Sequence, residues 1–290
     1  MSELFKSDTA KSKVHAWHDR FRARVKAPTT NREVMTRFGR THVLIAGPEG
    51  APAVVALHGA MASSAHLLVE LEHLVSKYRV YAVDVLGQSV MSEDTRLSVK
   101  NDDYGAWLGE TLDGLGLDAV NLLGISWGGF AAQRLAATAP HRISRLALLV
   151  PAGMVSGSTW DGLVKMGLPM TMFLLAPNQQ RLRKFVSQLM TTQDDEWMAS
   201  LGDAFSSYEM RKMVVPKLSS LGEFASLKAP VLVLGAEHDI SFPGAKLVAR
   251  AKELFPTLTD SEVLLGSKHS PPTTDAFRAW LGARLAAFFG

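Results

Sequence analysis

The chain has 290 residues, 47% hydrophobic and 20% charged, enough to bury a large core within one α/β domain. Its formal charge of +3 is small, and the basic excess sits mainly at Lys6, Lys11, Lys13, Arg20, Arg22, Arg24 and Lys26, with no basic face interleaved with base-reading side chains, which excludes a nucleic-acid surface and leaves a solvated helix. Cysteine is absent and the opening MSELFKSDTAKSKVHAWHDR lacks the apolar run of an export signal, so a soluble, cytoplasmic protein without disulfides is expected.

Val14, Trp17, Phe21 and Val25 recur at helical spacing and predict an amphipathic leader helix that lies on the core and ends near Pro28. Two β-like runs, Glu33 to Phe38 and His42 to Ile45, predict an antiparallel hairpin around Arg40. After the turn signal GPEGAP, short apolar runs alternate with helical patterns. Strands are expected at Ala53 to Leu57, Arg79 to Val83, Ala119 to Leu123 and Arg145 to Val150, and helices at His66 to Ser76, Asp103 to Leu115 and Trp127 to Thr138. Such alternation implies a mainly parallel sheet covered on both faces.

Beyond Val150 the alternation stops. Residues 152–226 are rich in Met, Leu, Phe and Trp and carry no clear strand, so they form an insertion, expected to be helical. Its longest apolar stretch, Leu163 to Pro177, is broken by Lys165 and Pro169 and is too short to span a bilayer. Val231 to Leu234 restores the pattern, followed by a helix around Phe242 to Leu254, a strand around Ser261 to Leu265 and a helix from Thr274 to Phe289. The expected organisation is a core of residues 1–151 and 227–290 with a helical lid at 152–226.

The sharpest chemical signal is Gly124-Ile125-Ser126-Trp127-Gly128-Gly129, standing between an apolar strand and a small-residue helix. That is the setting of a nucleophile elbow, in which a strained turn exposes the serine hydroxyl at a helix N-terminus and glycine is needed on either side. Serine is a poor nucleophile unless a base lies within hydrogen-bond reach and a carboxylate orients that base. Past Ser126 only His141, His238 and His269 qualify. His141 follows Pro140 at the end of the elbow helix and reads as a surface residue, whereas His269 sits in GSKHSPP after the last strand, at the carboxyl edge where Ser126 emerges. The loop Gly235-Ala236-Glu237-His238-Asp239 leaves another strand at that edge and supplies the acid, while Pro151-Ala152-Gly153 offers none. An oxyanion hole needs a second backbone N–H besides the one after the nucleophile, and His58-Gly59-Ala60-Met61 is placed to give it through Ala60, with Met61 the second choice and Trp127 as the other donor.

With its HGA segment, Asp84, Gly87 and Ser89 after a strand, GISWGG, GAEHD and GSKH, the chain from Glu33 to Phe289 resembles the α/β-hydrolase fold family, specifically its small carboxylesterases with a helical lid. The resemblance implies the order nucleophile, acid, histidine, and so favours Asp239 over Glu237 and assigns Asp84 a structural role in its own turn. It also implies that epoxide hydrolases and dehalogenases, which carry Asp at the position of Ser126, are not close in activity. Expected are ester hydrolysis through an acyl-enzyme, no cofactor and no metal, and uncharged esters of small to medium apolar substrates, since the lid offers apolar contacts and no evident cationic clamp. A carbon–carbon bond or lactone hydrolase, and a ligand receptor on the same fold, are the alternatives.

Other signals reduce to packing or solvation. Gly114-Leu115-Gly116 precedes a strand instead of following one, which argues against a dinucleotide site. His66, Glu70 and His73 read as a solvated helix face, and His15 and His18 as surface residues. The lid residues Met154, Trp160, Met166, Met170, Met172, Phe173, Phe185, Met190, Trp197 and Met198 suit adaptable apolar binding or simple packing of the lid.

Overall fold

A computed structural model describes residues 4–290; Met1, Ser2 and Glu3, the start of the N-terminal segment read above, lie outside the described residues. Eight strands form one sheet: β1 (Thr29–Thr36), β2 (Gly39–Ala46), β3 (Ala53–Leu57), β4 (Arg79–Val83), β5 (Val120–Ile125), β6 (Ile143–Leu149), β7 (Val231–Ala236) and β8 (Leu258–Leu264), in the order β1-β2-β4-β3-β5-β6-β7-β8. β1 and β2 pair antiparallel, as do β2 and β4, and all later pairs are parallel.

The continuous apolar runs resolve into two faces because side chains alternate along a strand. Val55, Leu57, Leu122, Leu146 and Val231 face α4 (Asp103–Leu115), α5 (Trp127–Thr138) and α10 (Gly244–Leu254). Val54, Ala56, Leu123, Ala147 and Leu232 join the opposite core under α2 (Ser64–Glu70), α3 (Glu72–Val75) and α11 (Asp275–Phe289). Each fully buried Val or Leu contributes about 1.5–3 kcal/mol, so these two layers carry the fold.

Several boundaries differ from expectation. The hairpin turns at Arg37 and Phe38, before Arg40, because Gly39 takes φ +123° and the Thr36 hydroxyl donates to Gly39 O at 2.9 Å, so both strands are longer than their alternating patterns. The helix expected over His66 to Ser76 starts at Ser64 and breaks at Leu71 (φ −104°, ψ 18°). β5 runs to Ile125, and β6 stops where Val150 enters the left-handed region at φ 43°.

Between β6 and β7 lie α6 (Thr159–Asp161), a π-helical turn (Gly162–Gly167) continuing into α7 (Leu168–Leu175), then α8 (Gln179–Val186) and α9 (Asp195–Ser207). Met154, Phe173, Phe185, Met190 and Met198 are buried as packing residues, while Trp160 is 72% exposed. The leader helix α1 (Asp8–Arg24) does not stand in solvent on its basic side. Arg20 and Arg24 bind Glu196 at 3.0 and 2.8 Å, Lys13 lies 3.4 Å from Asp203, and Trp17 Nε1 donates to Asp203 at 2.8 Å, so α1 is tied to α9 as well as to the core. No described helix is long and apolar enough to cross a membrane.

Candidate active site

The β5–α5 turn confines Ser126 to φ 50°, ψ −112°, a conformation that costs a non-glycine residue about 1–3 kcal/mol. Three hydrogen bonds enforce it: Ser126 N–H donates to Leu149 O at 3.0 Å, and Ser126 O accepts from Ala152 N at 2.9 Å and Phe130 N at 3.3 Å. The glycines are steric necessities. A Cβ on Gly128 would lie 2.3 Å from Leu57 O, and one on Gly124 would lie 2.7 Å from Gly128 O. Gly129, the last residue of the same motif, is equally constrained, since its Cβ would meet Pro151 at 2.6 Å.

Ser126 Oγ stands 2.9 Å from His269 Nε2, and His269 Nδ1 stands 2.7 Å from Asp239 Oδ2. The other carboxylate oxygen, Oδ1, accepts from the N–H groups of Ser241 (2.8 Å) and Phe242 (3.0 Å). Burial alone would raise the Asp239 pKa, but the His269 charge and hydrogen bond, with these two N–H groups, hold it below the usual carboxylate range. For His269 burial pulls the pKa down, and the facing Asp239 carboxylate outweighs it, leaving the imidazole more basic than usual. Nδ1 therefore carries the proton that Asp239 accepts, and Nε2 is free to accept from the serine hydroxyl.

Of the other candidates, His141 and His238 are exposed, and Glu237 accepts from Gly266 N–H at 2.7 Å, without contact to His269. Asp84 is fully buried and holds its turn as expected: it accepts from Ser89 Oγ (2.5 Å), Ser64 N (2.9 Å) and His42 Nδ1 (2.7 Å). The backbone N–H groups of Ala60 and Trp127 donate to no acceptor among the described residues, as an oxyanion hole requires. Gly59 brings the Ala60 loop against the serine, where a Cβ would lie 3.3 Å from Ser126 Cβ.

Sequence reasoning missed what holds this loop. The His58 ring donates from Nδ1 to Gly59 O at 2.7 Å and accepts at Nε2 from Val85 N–H at 3.0 Å, while His58 O accepts from Gly128 N–H at 3.0 Å. It also missed the clamp on the His269 loop. Thr191 Oγ1 accepts from Lys268 N–H at 2.8 Å and donates to Ser270 O at 2.8 Å, and Ser270 N–H donates to Leu189 O at 2.8 Å. No local pattern announces either, since both join residues far apart in sequence.

Three surface readings are corrected. His18 and His66 are 1% and 5% exposed and share the Ser63 hydroxyl, at 3.2 and 2.8 Å, while His66 Nε2 reaches Ser200 of α9 at 3.0 Å. Burial lowers their pKa values to about 4 and about 3. Glu70 pairs with Arg278 through two 3.0 Å bonds and accepts from Trp197 Nε1 at 3.2 Å. His66 and Glu70 lie against α9, and His18, on α1, faces Ser63 at the start of α2. Arg96, Lys100, Trp127 and Lys212 line a recess.

The α/β hydrolase fold family model matches residues 52–275, and the chain belongs to that family. It is 29% identical over 248 residues to a protein of Bacillus subtilis described as uncharacterized carboxylesterase nap, covering 81% of this chain and 79% of the relative. It is 27% identical over 246 residues to carboxylesterase YbfK of the same organism, covering 81% and 80%. The crystal structure of naproxen esterase from Bacillus subtilis superposes with a TM-score of 0.83 at 25% identity, over 98% of this chain and 99% of that one.

Proposed function

We propose that this chain is a cofactor-independent carboxylesterase in which Ser126, His269 and Asp239 act as nucleophile, base and orienting acid. Ser126 Oγ attacks the ester carbonyl while its proton passes to His269 Nε2, and Asp239 stabilises the imidazolium. The carbonyl oxygen, now negative, accepts from the Ala60 and Trp127 N–H groups. Collapse expels the alcohol, which takes the proton from His269 and leaves an acyl-enzyme. Water enters, gives a proton to His269 and hydroxide to the acyl carbon, and Ser126 regains its proton as the acid departs. Residues 152–226 act as a lid over this site, and the enzyme works in the cytoplasm, in keeping with a chain without cysteine.

The observation that carries this reading is the relay from Ser126 Oγ to His269 Nε2 (2.9 Å) and from His269 Nδ1 to Asp239 (2.7 Å), on a chain whose long-range relatives include carboxylesterases. The test is a panel of acyl esters, lactones and aryl diketones assayed with wild type and Ser126→Ala. Turnover of acyl esters that drops about a thousandfold or more in the variant supports it. Exclusive cleavage of diketones or lactones moves the assignment to the alternatives, and tight ligand binding with negligible turnover makes the chain a receptor.

A further inference from the structure

The loop after β7 carries Asp239 and, three residues on, the pair Phe242-Pro243. Two constraints fix the backbone of Phe242. Its N–H donates to Asp239 Oδ1 at 3.0 Å, and Pro243, at the N-cap of α10 and bridged to Ala236, disfavours the helical conformation in the residue before it. The loop is closed behind them by Gly235 and Gly244, so tightly that a Cβ on Gly235 would lie 2.9 Å from Gly244 Cα. From this anchored backbone the half-buried Phe242 ring packs against the core layer that holds Val231 and Leu247. It also meets the His269 ring edge-on, with centroids 5.4 Å apart and planes inclined by 66°. One residue thus touches both acid and base, the first with its backbone and the second with its ring.

The imidazole of His269 is held by Asp239 at Nδ1 (2.7 Å), by Ser126 at Nε2 (2.9 Å) and by the Phe242 ring. With its side chain 20% exposed, it is not locked by burial alone. The three contacts do not last equally through an acyl-enzyme reaction. Acylation removes the serine proton, so Oγ then has nothing to donate to Nε2, and that tether is gone when His269 must take a proton from water. A single hydrogen bond at Nδ1 leaves the ring free to tilt about it. The ring contact with Phe242 involves no exchangeable proton and persists through every step.

We propose that Phe242 is a positioning residue that keeps His269 in line during deacylation, after Ser126 Oγ has ceased to donate to it. The proposal rests on the esterase reading and assigns a separate part to the loop that carries the acid. In the step concerned, water gives a proton to His269 Nε2 as its oxygen bonds to the acyl carbon. The bond from that carbon to Oγ then breaks, and Oγ recovers the proton from Nε2. A tilted imidazole slows this step, whereas acylation is spared because the Ser126–His269 hydrogen bond itself aligns the ring.

The test is the hydrolysis of para-nitrophenyl pivalate by wild type, Phe242→Ala and Phe242→Tyr, each checked for folding by circular dichroism. kcat/KM reports acylation, and the decay of the pivaloyl-enzyme, followed by protein mass after excess ester is removed, reports deacylation. In Phe242→Ala, kcat/KM should stay within about threefold of wild type while the decay slows by about tenfold or more. Phe242→Tyr keeps the ring and should decay at nearly the wild-type rate. Equal losses in the two steps would mark a general loss of packing and overturn the proposal. So would an unchanged decay in Phe242→Ala, or a decay in Phe242→Tyr as slow as in Phe242→Ala. If Phe242→Ala does not fold, Phe242→Leu, which keeps apolar bulk without the ring, carries the same comparison. Failure of the esterase reading looks different: wild type would then release para-nitrophenol no faster than Ser126→Ala.

Discussion

Asp239 and His269 are each pulled by burial toward the neutral form, and each favours the charged form of the other. The sign of the consequence follows. His269 must be neutral to accept the serine proton, and its pKa lies above 6.5, so kcat/KM should rise with pH through a midpoint above 6.5. In Asp239→Asn the carboxylate charge is gone and burial acts unopposed, so the midpoint should move down while kcat falls by roughly ten-thousandfold through the wrong imidazole tautomer. Glu237→Gln should leave both nearly unchanged, because Glu237 contacts Gly266 N–H and not the imidazole. A pH–rate profile whose midpoint stays put in Asp239→Asn would contradict this pairing. At this scale much was legible: Ser126 and His269 follow from an elbow and a strand-end loop, whereas the choice of Asp239 needed the resemblance to a family pattern. His58 was not legible, because its role depends on Val85 and Gly128 meeting it in space.

Among elements, the elbow and the clamp on the His269 loop hold the proposed triad in place. Gly128→Ala would put a methyl group 2.3 Å from Leu57 O, backbone that cannot rotate away, so a loss of about 1–3 kcal/mol or more is expected in denaturant unfolding. Gly116→Ala meets no neighbour and should cost only about 1–2 kcal/mol for its left-handed φ of +72°. Equal stability of the two variants would contradict the steric account. Thr191→Val removes the acceptor of Lys268 N–H and should lower stability by about 1–3 kcal/mol and kcat by about tenfold, through a displaced His269 loop; an unchanged kcat would mean that the clamp does not position the base. The strands of the parallel sheet and α4 and α5 were readable from runs of apolar residues, as with Ala53–Leu57 and Asp103–Leu115. The hairpin was misplaced because its turn is set by Gly39 and a Thr36 side-chain bond, which local alternation does not encode. The burial of His66 and Glu70 was unreadable for a similar reason, since α9 arrives to cover them from more than a hundred residues away, and that of His18 depends on Ser63, 45 residues on.

For the whole molecule, the buried histidines between α1, α2 and α9 make acid a threat. An unfolded His18 or His66 takes up a proton near pH 6.5, whereas the folded ones resist until about 4 and about 3, so their contribution to stability is present above 6.5 and is lost as pH falls toward those values. Asp84 and Asp239, both held below the usual carboxylate range, act in the same direction at lower pH, while the raised His269 pKa acts in the opposite one, losing stability as pH rises. The net expectation is a loss on the order of several kcal/mol between pH 7 and pH 4. His66→Gln keeps a hydrogen-bonding side chain but cannot titrate, and should flatten that fall when Tm is followed against pH; an equally steep fall would remove His66 from the account. In the proposed reaction one atom attacks, the Ser126 oxygen at the junction of sheet and elbow helix. The most direct measurement is the mass of the protein and of its peptides after reaction with an organophosphate. One phosphoryl group on the peptide containing Ser126, absent from Ser126→Ala, is the predicted result. No adduct in wild type, or an adduct that persists in Ser126→Ala, would contradict the assignment of Ser126 as the nucleophile.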